Sequence, residues 1–353
     1  MKAMRWMIGL VVVALVMGCT SDDRDEQEEL VEDHGSPAGS WSIMNAVPDA
    51  RTEVSVTTDG DRVFMIGGFL PPEDEDSDER APAAVDMYAW SPVSGEWENL
   101  GPIPGRTHHA GFVHLDGKLY VVGGYYDNTF DPHGQVWIYD IDADEWSEGS
   151  DMSTPRGALA YTVLNGRIHA IGGTVADAGE HDHEAHTTDA PDDSVGTHEV
   201  YDPASDEWER LAPMPTARNH HVAKAVDGKI VVTAGRAGNN FTMTETEIYD
   251  PASDSWSRGA DLPTGRSGVA AERLGEWVYV FGGETFDRGA ARTFDSAERY
   301  HIGLDRWEVL PSMPTARHGL GAAVVDDSIC VISGGPEPGF SFGTDNECFI
   351  PVD

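Results

Sequence analysis

Apolar residues occur in this chain as short runs of about five, without the three-to-four-residue spacing of an amphipathic helix. Six stretches share one order: an arginine, an apolar run, a turn such as Asp-Gly or Asn-Gly, and a second apolar run ending in two small residues. The arginines are Arg51, Arg106, Arg156, Arg218, Arg266 and Arg317. The small pairs lie at 67–68, 123–124, 172–173, 234–235, 282–283 and 334–335. Two apolar runs joined by a tight turn are typical of a β-hairpin, so each stretch predicts two neighbouring strands.

Two further strands follow each hairpin. The first contains an aromatic residue, as in "VWIYDI", "HEVYDP" and "TEIYDP", and the second contains a tryptophan in five of the repeats. These tryptophans are Trp97, Trp146, Trp208, Trp256 and Trp307. A repeat of about 50 residues with four short strands is the pattern of a propeller blade, so we predict an all-β, six-bladed β-propeller.

The last repeat lacks its fourth strand. It ends at "CFIPVD" with no tryptophan after it, whereas Trp41 stands before the first motif arginine in "WSIMNAVPDAR". We therefore predict that residues 41–353 form one propeller whose ring is closed by the N-terminal strand. That strand completes the last blade and leaves no exposed sheet edge.

The order of arginine, Gly-Gly, tyrosine and tryptophan resembles the kelch repeat, and the resemblance covers nearly all of residues 41–353. Glycines let backbones approach closely near the axis, and the aromatic residues supply apolar area between blades. The guanidinium group can donate to several carbonyl oxygens at once. We therefore interpret the six motif arginines as structural residues.

The N-terminus predicts export. In "MKAMRWMIGLVVVALVMGC" two basic residues precede an apolar run that is too short to span a membrane, as in a secretory signal. The "VMGC" at 16–19 resembles the bacterial lipobox, which implies that 1–18 is a lipoprotein signal peptide and that Cys19 is lipidated. The alternative is a plain cleaved signal. Thr20, rather than Asp, follows the cysteine, and by the same resemblance this favours the outer membrane.

The acidic charge of the chain excludes two classes of partner, nucleic acids and anionic lipid surfaces. The chain has 23 Lys plus Arg against 62 Asp plus Glu, for a net charge of −39. Such a surface repels phosphate backbones and anionic lipids, so we expect no nucleic-acid partner and membrane attachment through the lipid anchor only. Residues 19–40 are acidic and nearly free of large apolar side chains, which predicts a flexible tether.

Propeller topology places the residues after each motif arginine and the loops after each Gly-Gly on one face. The polar residues that this brings together are Thr52, Glu53, Thr107, His108, His109, Asn219, His220, His221, Ser267 and His318. Imidazoles can donate, accept or bind a metal. We predict that ligand contacts centre on His108, Asn219, His220 and His318, with Glu53 as the inner carboxylate. For any one of these histidines the alternative is a satisfied core residue.

Two enlarged loops, 71–80 and 174–195, would wall two sides of this face. The second contains His181, His183 and His186 among acidic residues, a spacing that can bind zinc. Its polar composition favours a solvated loop instead. No cofactor is therefore expected.

Two cysteines remain beside Cys19. Cys330 and Cys348 fall on the second and third strands of the last blade, and an exported protein meets an oxidising compartment. We predict a disulfide between them.

Catalytic motifs are missing: the Gly-x-Ser-x-Gly at 339–343 ("GFSFG") lies in an all-β repeat and not in the strand–turn–helix of a nucleophile elbow, and the chain has no phosphate-binding loop and no His-Glu-x-x-His. We therefore favour an envelope-anchored, monomeric, non-catalytic binding or scaffolding module for a protein or glycan partner. The alternative is an enzyme resembling sialic-acid mutarotase, a kelch propeller of similar size. Mutarotation needs one acid and one base, and Glu53 with His108 or His220 could supply them.

Overall fold

The computed structural model of the protein describes residues 38–72, 81–176, 193–287 and 290–352. These residues form six antiparallel sheets, each with four principal strands, and a small two-stranded sheet. No helix among them is long and apolar enough to cross a bilayer. The six sheets are the blades of a propeller, as the repeat pattern predicts.

The first strand of the described residues, β1, belongs to the last blade, and the strands of the first three blades follow it in order. Strand β1 is Gly39–Ile43. Blade 1 contains β2 (Ser55–Thr58), β3 (Val63–Ile66), β4 (Asp86–Trp90) and β5 (Trp97–Pro102). Blade 2 contains β6 (Thr107–His108), β7 (Gly111–Leu115), β8 (Lys118–Tyr126), β9 (Pro132–Asp140) and β10 (Glu145–Gly149). Blade 3 contains β11 (Ala160–Leu164), β12 (Arg167–Ile171), β13 (His198–Asp202) and β14 (Glu207–Leu211).

The other three blades repeat this order. Blade 4 contains β15 (Val222–Val226), β16 (Lys229–Thr233), β17 (Glu247–Asp250) and β18 (Ser255–Arg258). Blade 5 contains β19 (Ala270–Leu274), β20 (Trp277–Phe281), β23 (Ala297–His301) and β24 (Arg306–Val309), with β21 (Glu284–Thr285) and β22 (Arg292–Thr293) paired in one of its loops. Blade 6 contains β25 (Gly321–Val325), β26 (Ser328–Ile332), β27 (Asn346–Pro351) and β1.

Strand β1 closes the ring as predicted. It pairs antiparallel with β27 along its whole length, from Gly39 opposite Pro351 to Ile43 opposite Glu347. The Trp41 ring packs 5.2 Å from that of Phe349 in its own blade and 5.6 Å from that of Phe281 in blade 5. The partly buried Trp41 ring thus joins β1 to β27 and to the neighbouring blade.

Five of the six motif arginines are fully buried: Arg51, Arg156, Arg218, Arg266 and Arg317. They donate to main-chain carbonyls, as the sequence predicts; Arg156, for example, bonds the oxygens of Gly172 at 2.7 Å and Thr197 at 2.8 Å. In blades 3 to 6 each also pairs with a buried glutamate of the third strand. The pairs are Arg156–Glu199, Arg218–Glu247, Arg266–Glu298 and Arg317–Glu347.

The third strand of the last blade also carries the predicted disulfide. Cys330 and Cys348 stand directly opposite each other in β26 and β27, and their sulfur atoms are bonded at 1.99 Å. The bond joins the two middle strands of the blade that β1 completes.

Candidate functional site

The predicted face forms around the propeller axis. The residue after a motif arginine pairs with the residue after the small pair of the same blade, as in Thr52 with Phe69, Asn219 with Arg236, and Ser267 with Glu284. These bridges bring the segment after the motif arginine and the segment after the small pair of each blade to the mouth of the central channel. Side chains that are far apart in the sequence therefore meet there.

One residue from each blade forms a ring at this mouth. The six residues have φ between 50° and 63°, and they are Glu53, His109, Ala158, His220, Gly268 and Gly319. The N–H of Ala158 donates to the carbonyl oxygen of His109 at 3.1 Å, and that of His220 donates to Ala158 at 3.0 Å. The bonds continue in the same direction through blades 5 and 6 and return to blade 1, where the N–H of Val54 donates to Gly319 at 3.2 Å. We call this set of residues the axial ring.

Glu53 lies among three histidines at the axial ring. Its Oε2 is 3.0 Å from Nε2 of His109, and its Oε1 is 3.4 Å from Nδ1 of His318. Burial raises the pKa of Glu53, but the neighbouring His109 and His318 outweigh this and hold it well below its usual range. Glu53 is therefore an ionised carboxylate at neutral pH, with its side chain 13% exposed.

A second carboxylate completes the floor of the pocket. Oε1 of Glu284 accepts from Arg236 at 3.0 Å, and its Oε2 lies 3.3 Å from Nδ1 of His318. Burial lowers the pKa of His318, but Glu53 and Glu284 outweigh it and raise that pKa above its ordinary value. The pKa of His220 is instead lowered well below its ordinary value, because burial and the charge of Arg236 both disfavour its protonated form. The floor thus combines two carboxylates, a guanidinium and imidazoles of different basicity.

The prediction that His108 faces a ligand is wrong. His108 is 0% exposed, and its ring packs 4.0 Å from that of Phe69. The residue that reaches the axis is His109, because blade 2 has one more residue between Arg106 and its first long strand than the other blades have. Thr107 and His108 form β6, which makes two bridges to β8. In each of the other blades the residue after the motif arginine makes one bridge of this kind.

The remaining predicted residues lie at or behind the floor. His220 lines the floor with Glu53. His318 is 1% exposed and lies behind the floor, next to Glu53 and Glu284. Asn219 stands behind His220, and its Oδ1 is 2.5 Å from Nδ1 of that ring. Arg236 and Glu284 were missed by the sequence analysis. Both follow a small pair directly, so reading the residue after each small pair would have found them.

Aromatic residues surround the opening above this floor. Phe69, Phe130, Phe286 and Phe340 line a pocket of about 40 Å³ whose floor includes Glu53, His109, His220, Arg236 and Glu284. Phe340 is 52% exposed, and its ring is 5.2 Å from that of Phe69. Below the axial ring a channel of about 110 Å³ continues between the innermost strands, past Ser55 and Tyr161. We call the four phenylalanines the aromatic rim.

Several predictions fall outside the described residues. They are the signal peptide at 1–18, lipidation of Cys19, all but the last three residues of the tether at 19–40, and the histidines His181, His183 and His186. Most of the loops 71–80 and 174–195 also lies outside them.

Comparison with known proteins agrees with the repeat. Models of the Kelch motif match residues 106–153, 155–215, 217–263 and 265–314. The chain is 26% identical over 344 residues to Kelch-like protein terF of Aspergillus terreus, covering 93% of this chain and 71% of that protein. It is 25% identical over 311 residues to Kelch-like protein 23 of Mus musculus, covering 88% of this chain but only 41% of the relative. The solved structure of YjhT superposes with a TM-score of 0.71 at 17% identity, over 86% of this chain and 96% of that one, a likeness of fold alone.

Proposed function

Because the chain belongs to the kelch-repeat family, we propose that it is a non-catalytic binding module that accepts part of a protein partner at the aromatic rim. The observation that carries this proposal is the half-exposed ring of Phe340 beside a narrow, charged pocket. Aromatic side chains that surround a desolvated polar centre are typical of the energetically important part of a protein interface.

The size of the pocket favours a protein partner over a small molecule. Sites that enclose a small ligand usually measure about 300–1,000 Å³, whereas about 40 Å³ lies between the rim and the floor. A space of this size admits one side chain of a partner whose surface rests on the rim. The floor offers Glu53 and Glu284 as acceptors and Arg236 as a donor, so that side chain would be polar.

We place this module in a bacterial cell envelope, attached through Cys19. The support is the short apolar run followed by "VMGC" in the sequence. Cys19→Ser should move the protein from the detergent phase to the aqueous phase on phase separation. Mass spectrometry that finds an unmodified Cys19 at the mature N-terminus would rule out the anchor.

The binding proposal is tested by capture from solubilised envelopes with the full-length protein. Phe340→Ala should reduce recovery of the partner, because it removes the most exposed ring of the rim. Leu304→Ala is the matched control: Leu304 is 56% exposed but lies in the turn between β23 and β24, away from the rim. Equal capture by wild type and Phe340→Ala, or a captured species that is a glycan, would contradict the proposal.

Mutarotation is a second candidate because Glu53 and His109 form a partly buried carboxylate–imidazole pair at 3.0 Å. One could act as acid and the other as base toward a sugar hydroxyl. The test is the rate of anomer exchange of sialic acid, followed by NMR with wild type and Glu53→Gln. Acceleration by wild type that Glu53→Gln abolishes would establish the enzyme and replace the binding proposal.

A further inference from the structure

We propose that Glu53, His109 and His220 form a binding site for a divalent cation of the zinc type at the floor of the axial pocket. One ligand atom from each residue lies within 4.8 Å of the other two. Two imidazoles and one carboxylate suit Zn²⁺ and its neighbours among the transition metals, and three protein ligands leave a coordination position open. The site does not depend on which partner the aromatic rim binds.

The hydrogen bonds behind His109 fix the orientation of its ring. Nε2 of His108 lies 2.8 Å from the carbonyl oxygen of Thr129, which can only accept, so His108 carries its proton on Nε2. Nδ1 of His108 must then accept from Nδ1 of His109, 2.5 Å away. This arrangement directs Nε2 of His109 toward Glu53. Metal-binding histidines are held in this way by a partner on their other nitrogen.

An equivalent arrangement holds His220. The side-chain amide of Asn219 donates from Nδ2 to Oγ of Ser194 at 2.7 Å, which directs its Oδ1 at Nδ1 of His220, 2.5 Å away. Nδ1 of His220 therefore carries the proton, and Nε2 presents a lone pair to the pocket. His108 and Asn219 thus each bond the Nδ1 of one imidazole, and in both rings this leaves Nε2 to face the pocket.

The backbone also prepares the three ligands. Glu53, His109 and His220 are all members of the axial ring, with φ of 56°, 53° and 50°. The other three members of the ring, Ala158, Gly268 and Gly319, share this conformation, so it belongs to the ring and sets the starting point of each ligand side chain. Since the ring joins the blades through main-chain hydrogen bonds, the three side chains start from fixed positions.

Arg236 competes with the cation for His220. Its NH2 group donates to Nε2 of His220 at 2.9 Å, and its NH1 group donates to Glu284 at 3.0 Å. A bound cation would displace the first bond, while the second could hold Arg236 in place beside Glu284. The guanidinium charge would repel the cation as well. Removal of Arg236 should therefore tighten cation binding, an effect that a merely structural role of these residues does not predict.

The experiment titrates the full-length protein with Zn²⁺ alone. The reference protein carries His181→Gln, His183→Gln and His186→Gln, so that this loop cannot bind the added metal, and it is first stripped with a chelator; every further variant is made in this reference. Calorimetry should find one equivalent of Zn²⁺, and Co²⁺ should give the absorption bands of a low-coordinate site. His109→Gln or His220→Gln should weaken binding by about 100-fold or more, and Asn219→Ala by about 10–100-fold. Arg236→Gln should strengthen it by about tenfold.

Two control variants distinguish this site from Zn²⁺ binding elsewhere on the protein and from binding of the partner. His301→Gln removes a partly buried histidine whose Nε2 lies 3.5 Å from Glu276 on the outer part of blade 5, and should leave Zn²⁺ binding unchanged. Phe340→Ala should also leave it unchanged, so failure of partner binding and failure of the cation site are distinguishable. Melting in the presence of chelator checks that each variant is folded. No Zn²⁺ binding by the reference protein, or binding that withstands both His109→Gln and Asn219→Ala, would overturn the proposal.

Discussion

Glu298→Ala should destabilise the propeller strongly, because it leaves the guanidinium of Arg266 buried without its counter-charge. Oε2 of Glu298 lies 2.5 Å from NH1 of Arg266, and the two side chains are 1% and 0% exposed. Oε1 of the same carboxylate accepts from Thr264 at 2.8 Å, and this bond is lost as well. Arg266 keeps bonds to the carbonyl oxygens of Thr264 and Gly282, both at 2.6 Å, which stabilise only part of its charge.

The expected loss is about 3–5 kcal/mol of unfolding free energy, as for other buried pairs that lose one partner. Denaturation in urea measures it, provided that the slope with denaturant is the same as in wild type. Glu298→Gln keeps an oxygen acceptor without the charge, so its loss should be smaller than that of Glu298→Ala.

A surface pair serves as the matched control. Arg258 and Asp261 are 2.8 Å apart, but their side chains are 60% and 51% exposed. Asp261→Ala should therefore cost less than about 1 kcal/mol. If Glu298→Ala also costs less than this, the buried pairs do not stabilise the blade junctions and our reasoning about them is wrong.

Three further predictions concern stability. A chain that starts at residue 47 lacks β1 and Trp41, and it should be less stable than one that starts at residue 38. Loss of the partly buried Trp41 and of the pairing with β27 should together cost about 3–5 kcal/mol; equal melting temperatures would refute closure by this strand. Loss of the Cys330–Cys348 bond, which spans 18 residues, should lower the unfolding free energy by about 3 kcal/mol. Labelling that finds both of these thiols reactive in denatured, unreduced protein would show that the bond is absent. Burial lowers the pKa of His133 to about 4. Because the unfolded chain takes up this proton first, near pH 6.5, the unfolding free energy should fall by about 3 kcal/mol as the pH drops from about 6.5 to about 4. His133→Gln should remove that part of the pH dependence, and an unchanged pH profile would contradict the assignment.

The fold could be predicted almost completely from the sequence because each blade repeats the same few packing residues. The missing tryptophan strand of the last repeat and the spare Trp41 at the start together predicted how the ring closes. The buried glutamates were not predicted, although "HEVYDP", "TEIYDP", "AERYHI" and "NECFIP" each place a glutamate two residues before the aromatic residue. Their pairing with the motif arginines became evident only when the third strand was seen beside the arginine of its own blade.

The site was less predictable because it depends on single positions. Because of one extra residue in blade 2, His109 reaches the axis and His108 packs behind it. Nothing in the local sequence reveals which of the two adjacent histidines faces the pocket. Arg236 follows Ala234 and Gly235, which is the one small pair of the six that is not two glycines. In the structure, Ala234 and Gly235 have φ of 62° and 103° and take the place of the usual glycines, so the altered pair still directs the next residue to the pocket.

The axial ring is made by main-chain atoms, so its side chains can change without loss of the bonds that hold it. Ala158, Gly268 and Gly319 hold the same place as Glu53 and carry no chemistry. At Gly268 a Cβ atom would meet nothing nearer than 3.6 Å, whereas at Gly319 it would lie 2.4 Å from Oγ1 of Thr52. New groups could therefore enter the pocket one substitution at a time, first from blade 5, where the φ of 63° at Gly268 adds backbone strain that Glu53, His109 and His220 already bear at the same place. A propeller of this kind can acquire or exchange a ligand by point mutation while the repeats that build it stay the same.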